Sequence, residues 1–141
     1  MKNFIPGLLI SLFILVSCGP GTVSITVYPK GNEMAYSTTE FTVKAGQKVT
    51  LVMNNTATME AMKHNVVILN DESKAEEVGL AALTKSDYIP DHPAIIVATP
   101  MADAGQSTSV QFTAPSKPGK YLYICTYPGH YSMMRGTMVV Q

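Results

Sequence analysis

After residue 22 the chain is a series of short runs in which apolar and polar residues alternate, each bounded by turn residues. Val23-Ser-Ile-Thr-Val-Tyr28 alternates strictly. Phe41-Thr-Val43 reaches the turn Ala45-Gly46-Gln47, and Val49-Thr-Leu-Val-Met53 returns from it. His64-Asn-Val-Val-Ile-Leu69 and Ala94 to Ala98 are apolar runs of strand length. Ser109 to Thr113 and Tyr121 to Cys125 flank Pro115-Ser-Lys-Pro-Gly119, a turn by composition, and Met134 or Gly136 to Val140 closes the chain. Period-two runs between turns are half-buried strands. The pattern predicts an all-β domain, a Greek-key sandwich or barrel of about eight strands. One short helix interrupts it. Ser73-Lys-Ala-Glu76 reads as a capping box, with Glu72, Glu76 and Glu77 at the positive end of the helix dipole. Ala75, Val78, Ala82 and Leu83 supply its apolar stripe. No repeat, low-complexity segment or second domain interrupts the series.

The residues before the first strand follow a different rule. Met1-Lys2-Asn3 and the apolar run Phe4 to Val16 have the form of a secretory leader, too short and wrongly flanked for a membrane span. The run ends in Leu15-Val16-Ser17-Cys18, which resembles the bacterial lipobox. That resemblance implies removal of residues 1–17, lipidation of Cys18, a tether over residues 18–22 and one domain over residues 23–141. Acyl chains on one residue suffice to hold a soluble domain at a membrane. The remaining chain has nine basic and ten acidic residues, a net charge of −1 with histidine neutral. With no basic run, it has no electrostatic footprint for nucleic acid.

The candidate chemistry lies near the C-terminus. Cys125-Thr-Tyr-Pro-Gly-His130-Tyr-Ser-Met-Met134 puts a thiol, an imidazole and thioethers in one loop between two strand-like runs. If Cys18 is acylated, Cys125 is a solitary thiol in an exported protein, which is unusual unless it holds a metal. Taken singly, Cys125 reads as a small core residue, His130 as a turn residue and Met134 as core filler. Together, in this order and after a strand, they suit copper that cycles between Cu(I) and Cu(II). A trigonal His₂Cys set needs a second histidine, from His64 or His92. His64 opens an apolar run, whereas His92 lies in Pro90-Asp91-His92-Pro93 and reads as a surface residue.

His64-Asn65, together with Cys125-x4-His130-x3-Met134 closing on Arg135-Gly136-Thr137, resembles the blue copper proteins of the azurin and auracyanin type, from about Val23 to Gln141. The resemblance implies a cupredoxin fold with a helical insertion, and one copper ion held by His64, Cys125, His130 and Met134. It also implies that Asn65 hydrogen-bonds across to the region of Thr126, holding the ligands fixed. Met133 and Met134 compete for the axial place, and alignment on Arg135-Gly136 selects Met134. Lys63 stands where azurins have glycine, so a weak contribution from its carbonyl is left open. The azurin disulfide near the N-terminus has no counterpart here, as in auracyanin.

Four protein ligands leave no open position for substrate, which argues against catalysis. The function implied is one-electron transfer by a membrane-tethered carrier, between a redox donor and acceptor such as a cytochrome, oxidase or reductase. The matching docking patch is Met62, Tyr127, Gly129, Tyr131 and Met133 around His130. An exported copper chaperone or scavenger is the alternative, since the chain is rich in methionine. A copper oxidase or reductase would need a second metal site, for which no further His/Cys cluster exists.

Overall fold

A computed structural model describes residues 21–141; the expected leader and Cys18 lie outside them. Eight strands run in the order β1 (Val23–Val27), β2 (Glu40–Val43), β3 (Lys48–Asn54), β4 (Val67–Leu69), β5 (Ile95–Ala98), β6 (Ser107–Thr113), β7 (Gly119–Ile124) and β8 (Arg135–Val140). They form two sheets, one ordered β1-β3-β6 and the other β2-β8-β7-β4-β5. β1 runs parallel to β3 and β2 parallel to β8, while the other pairings are antiparallel. The helix α1 (Ala75–Ala82) connects β4 to β5.

Alternation along each strand decides where the core lies. Val49, Leu51 and Met53 of β3 point inward, as do Met138 and Val140 of β8. In β7 the same period sends Tyr121 and Tyr123 into the sandwich, with Cys125 just beyond the strand's end. Leu122 and Ile124 face the other way, onto a second apolar cluster under α1. β4 divides likewise, with Ile68 in the main core and Val67 and Leu69 under the helix. A strand covered on both faces must be apolar at every position. This explains the unbroken run Val66 to Leu69. Each such side chain, fully buried, contributes on the order of 1.5–3 kcal/mol.

Four expectations need correction. His64 is not in β4; it forms an isolated bridge with Ala102, and the strand begins at Val67. Between them the Val66 N–H donates to the Thr99 hydroxyl at 3.0 Å, so a side chain replaces a ladder bond. Ser73 does not cap the helix. No side chain caps α1, whose N-cap is Lys74; Asp71 instead caps the 3₁₀ turn Glu72–Lys74 that leads into it, accepting from the Ser73 N–H at 3.0 Å and the Ser73 hydroxyl at 2.7 Å. Leu83 lies exposed, and Gly79 completes the buried stripe with Ala75, Val78 and Ala82. His92 is largely covered rather than on the surface. Its Nε2 lies 3.1 Å from Glu77 and its Nδ1 accepts from the Ala94 N–H, which fixes the entry to β5.

Gly136 has a packing reason to be glycine. A Cβ built there would lie 2.1 Å from Cζ of Tyr123, whose ring is buried between Tyr36 and Phe41. Tyr123 cannot retreat easily, because its hydroxyl donates to the Thr38 carbonyl. Gly136→Ala should therefore destabilise the fold by about 1–3 kcal/mol, the usual cost of overpacking. Denaturant unfolding measures it, and an unchanged midpoint would contradict the assigned packing.

Candidate metal centre

The site lies at the end of the sandwich where β7 gives way to the loop returning to β8. Cys125 continues the inward face of β7, and its N–H donates to the Met134 carbonyl at 3.2 Å, closing the loop at its base. Within the loop, His130 N–H donates to Tyr127 O at 2.9 Å and Met134 N–H to His130 O at 2.8 Å. Gly129 has φ +82°, in the left-handed region where glycine carries no Cβ penalty. This turn folds His130 back over Cys125.

His64 comes from the opposite side. Its bridge to Ala102 uses two backbone bonds, 3.1 and 2.8 Å. The buried Asn55 amide steadies both flanks, donating to the carbonyls of Met62 at 2.8 Å and Ala102 at 3.0 Å. Asn65 then joins the two halves. Its Nδ2 donates to Thr126 Oγ1 at 2.8 Å, and its Oδ1 accepts from the Thr126 N–H at 2.9 Å. The Thr126 hydroxyl in turn donates to the Tyr88 carbonyl at 2.6 Å, and the Tyr36 hydroxyl donates to Asn65 O at 2.6 Å.

These supports bring His64, Cys125 and His130 together, with one donor atom from each all within 4.8 Å of one another. Cys125 Sγ lies 3.9 Å from His64 Nδ1 and 3.6 Å from His130 Nδ1. Metal–sulfur and metal–nitrogen bonds of about 2.3 and 2.0 Å, set at a trigonal angle, place the two donors about 3.7 Å apart. The spacing therefore fits one metal ion. Met134 is fully buried in the same cluster as Cys125, whereas Met133 is 66% exposed.

The electrostatics suit neutral nitrogen donors. Burial, and secondarily the nearby His130, lowers the His64 pKa from 6.5 to about 4. Burial lowers that of His130 as well. Both rings are thus neutral at pH 7 and free to donate a lone pair. Burial pushes the Cys125 thiol up to about 11, against backbone hydrogen bonds from Asn65 and Tyr127 that favour the thiolate. A metal must therefore displace a proton from Cys125 on binding. A thiolate with two imidazoles and a thioether nearby is a donor set that copper takes in preference to hard cations.

Around His130 the surface is aromatic and apolar. Tyr127 meets the His130 ring edge-to-face with centroids 5.0 Å apart, and Tyr88 meets Tyr127 at 5.4 Å. Tyr131, grouped by sequence with the patch, instead packs over α1, where its ring closes on Gly79. Lys63 points its ammonium away to Asp103, 2.8 Å distant. Sequence reasoning missed Tyr36, Asn55, Tyr88 and Thr99. Only Asn55 carried a local signal, as a polar residue directly after the apolar strand β3.

Residues 23–141 match the model of a family described as copper binding proteins, plastocyanin/azurin family. The chain is 41% identical over 127 residues to auracyanin-A of Chloroflexus aurantiacus, covering 86% of this chain and 76% of that protein. It is 34% identical over 124 residues to azurin iso-2 of Methylomonas sp. (strain J), covering 82% and 96%. The solved structure of auracyanin A, a "blue" copper protein, superposes with a TM-score of 0.78 at 38% identity, covering 85% of this chain and 99% of that one.

The lowered histidine pKa values carry a consequence for the metal-free protein. Between pH 6.5 and about 4 the unfolded chain protonates its histidines while folded His64 stays neutral, so the unfolded state binds more protons. Stability of the copper-free protein should fall as pH drops through that window. Urea unfolding at pH 7.5, 6.5, 5.5 and 4.5 checks it, and a flat stability above pH 4.5 would show that His64 is not desolvated.

Proposed function

The chain belongs to the plastocyanin/azurin family of copper-binding electron carriers, and from that premise we propose that it is a membrane-tethered blue copper protein with its copper on His64, Cys125, His130 and Met134. The observation that carries the ligand assignment is the convergence of the three donor atoms of His64, Cys125 and His130 within 4.8 Å inside a sealed core. When bound, copper supplies a one-electron Cu(II)/Cu(I) couple. The protein's part is to hold the donors still. Asn65 and Thr126 fix the spacing of the two halves, and backbone hydrogen bonds to the Cys125 sulfur temper its charge. Met134 would supply a weak thioether donor, and the Lys63 carbonyl is a further candidate donor.

Electrons enter and leave at His130, the ligand nearest solvent. It is 4% exposed, whereas His64 has no exposure. Met62, Tyr127, Gly129 and Met133 form the docking rim. An apolar rim around a polar tip is a common mark of a docking site. With a net charge near zero, association should depend weakly on salt. The partners are a redox protein donor and acceptor. Cys18 carries the lipid that holds the domain to a bacterial membrane, facing the periplasm or the cell exterior.

Two pairs of variants test these assignments. Cys18→Ser should release the protein into the aqueous fraction with its visible absorption intact, and Cys125→Ser should abolish the absorption while the protein remains at the membrane. A coloured Cys125→Ser protein, or a membrane-bound Cys18→Ser protein, would be incompatible with the proposal. In the second pair, Met134→Leu should raise the reduction potential, because it removes a donor that favours Cu(II). Met62→Glu should leave the potential alone and slow electron transfer to a partner in stopped-flow measurements. The reverse pattern would exchange the roles of weak ligand and docking rim.

A further inference from the structure

Beside the buried centre lies a surface cavity of about 410 Å³ lined by Asn32, Glu33, Met34, Ala35, Met62 and Met133. Three of its six residues are methionines, delivered by three separate segments of chain. Met34 comes from the loop between β1 and β2, Met62 from the turn before His64, and Met133 from the loop after His130. Two of them are conspicuously open to solvent, Met34 at 39% and Met133 at 66% exposed. Three segments converging on thioethers outside the core is not what packing alone requires.

The backbones that carry these methionines are pinned. The loop 30–36 is closed by Lys30 N–H to Ala35 O at 2.8 Å and by the Pro29–Tyr36 bridge. Asn32 staples it to the neighbouring segment, its Oδ1 accepting from the N–H groups of Thr58 at 2.9 Å and Met59 at 3.0 Å. Met62 is fixed through its N–H to Met59 O at 2.9 Å and its carbonyl to the buried Asn55 amide. Met133 N–H bonds to His130 O at 3.1 Å. On these pinned backbones each thioether arm keeps three rotatable bonds with which to adjust to an ion.

The chemistry of the lining is selective. Asn32 Oδ1 is already committed to two backbone donors, and Glu33 is paired with Lys30 at 3.2 Å. What the cavity chiefly offers a metal is therefore neutral sulfur. Thioethers are soft donors that suit Cu(I) and bind hard or borderline dications poorly. We propose that Met34, Met62 and Met133 form a surface Cu(I)-binding site at the mouth of the buried centre, separate from its ligands. Binding there moves no electron and displaces no proton. Its affinity is accordingly flat with pH, unlike that of a thiolate–imidazole site, whose ligands must lose protons.

The test uses the full chain, copper-loaded and reduced, titrated anaerobically with Cu(I) against a chromophoric Cu(I) chelator. The expected result is one further equivalent bound, with similar affinity at pH 5.5 and pH 8 and no competition from Zn(II). Methyl NMR of labelled methionines should show shifts at Met34, Met62 and Met133. Replacing any one of the three by leucine should weaken this equivalent about tenfold or more, with the visible spectrum and unfolding midpoint unchanged. Met59→Leu, 55% exposed but outside the cavity, should have no effect. Cys125→Ser should retain the surface equivalent, so failure of the buried ligand assignment and failure of this one remain separable. Absence of a second equivalent, one that follows Met59, or one insensitive to all three leucine replacements would overturn the site.

Discussion

Two hydrogen bonds between Asn65 and Thr126 join halves of the site that are 61 residues apart in the chain. Thr126 adjoins Cys125 on the loop after β7, and Asn65 adjoins His64 on the approach to β4. The spacing of sulfur and nitrogen donors is inherited from that clamp. It sits fully buried, where a lost partner would cost about 1–3 kcal/mol for each group left unsatisfied. The clamp is also extended on both sides, by Tyr36 to the Asn65 carbonyl and by Thr126 to the Tyr88 carbonyl. Tyr88 has φ +57°, the one positive-φ non-glycine residue among those described. A tyrosine in that region is held there against its preference by surrounding bonds. The bond from Thr126 and the edge contact with Tyr127 supply that hold, so this strain lies next to the rim of the site.

A fixed, dry donor set has an electrostatic cost that the fold meets in two ways. Both imidazoles remain neutral by desolvation, which avoids stacking two cations 5.2 Å apart between ring centroids. The thiol stays protonated until a metal takes it, which avoids an unpaired buried anion. Apo and metal-bound forms can then share one backbone, because the clamp involves no ligand side-chain atom. Rigidity here follows from satisfied neighbours rather than from strong ligand contacts.

The fold was legible because its strands alternate and its turns carry glycine and proline, and because β4 and β5 are short apolar runs. The loop from Cys125 to Met134 was legible because its chemistry is contiguous. His64 was harder: its neighbours suggested a strand, whereas the hydroxyl of Thr99 interrupts the ladder before Val67. Ser73 lost the capping role because the Asp71 carboxylate reaches both its N–H and its hydroxyl, drawing it into a 3₁₀ turn ahead of α1. Tyr36 and Tyr88 left no trace at all. Their work is done through a hydroxyl and a carbonyl meeting residues 29 and 38 positions away, and no local pattern records such a contact.

Tyr131 shows why the two kinds of aromatic residue near His130 must be separated. It follows His130 directly, yet the helical turn at residues 130–134 swings successive side chains to different sides. Tyr131 falls onto Gly79 of α1, and Met133 falls onto the opposite, solvent side. The missing side chain at Gly79 creates the berth for that ring, as Gly136 does for Tyr123. The loop is therefore anchored to the helix at one end and closed onto β7 through Cys125 and Met134 at the other. Between these anchors Pro128, Gly129, Ser132 and Met133 are exposed, and His130 keeps only a narrow edge toward solvent. The insertion α1 thus shapes the site without contributing a donor: by taking Tyr131 away, it leaves the rim to soft, neutral side chains.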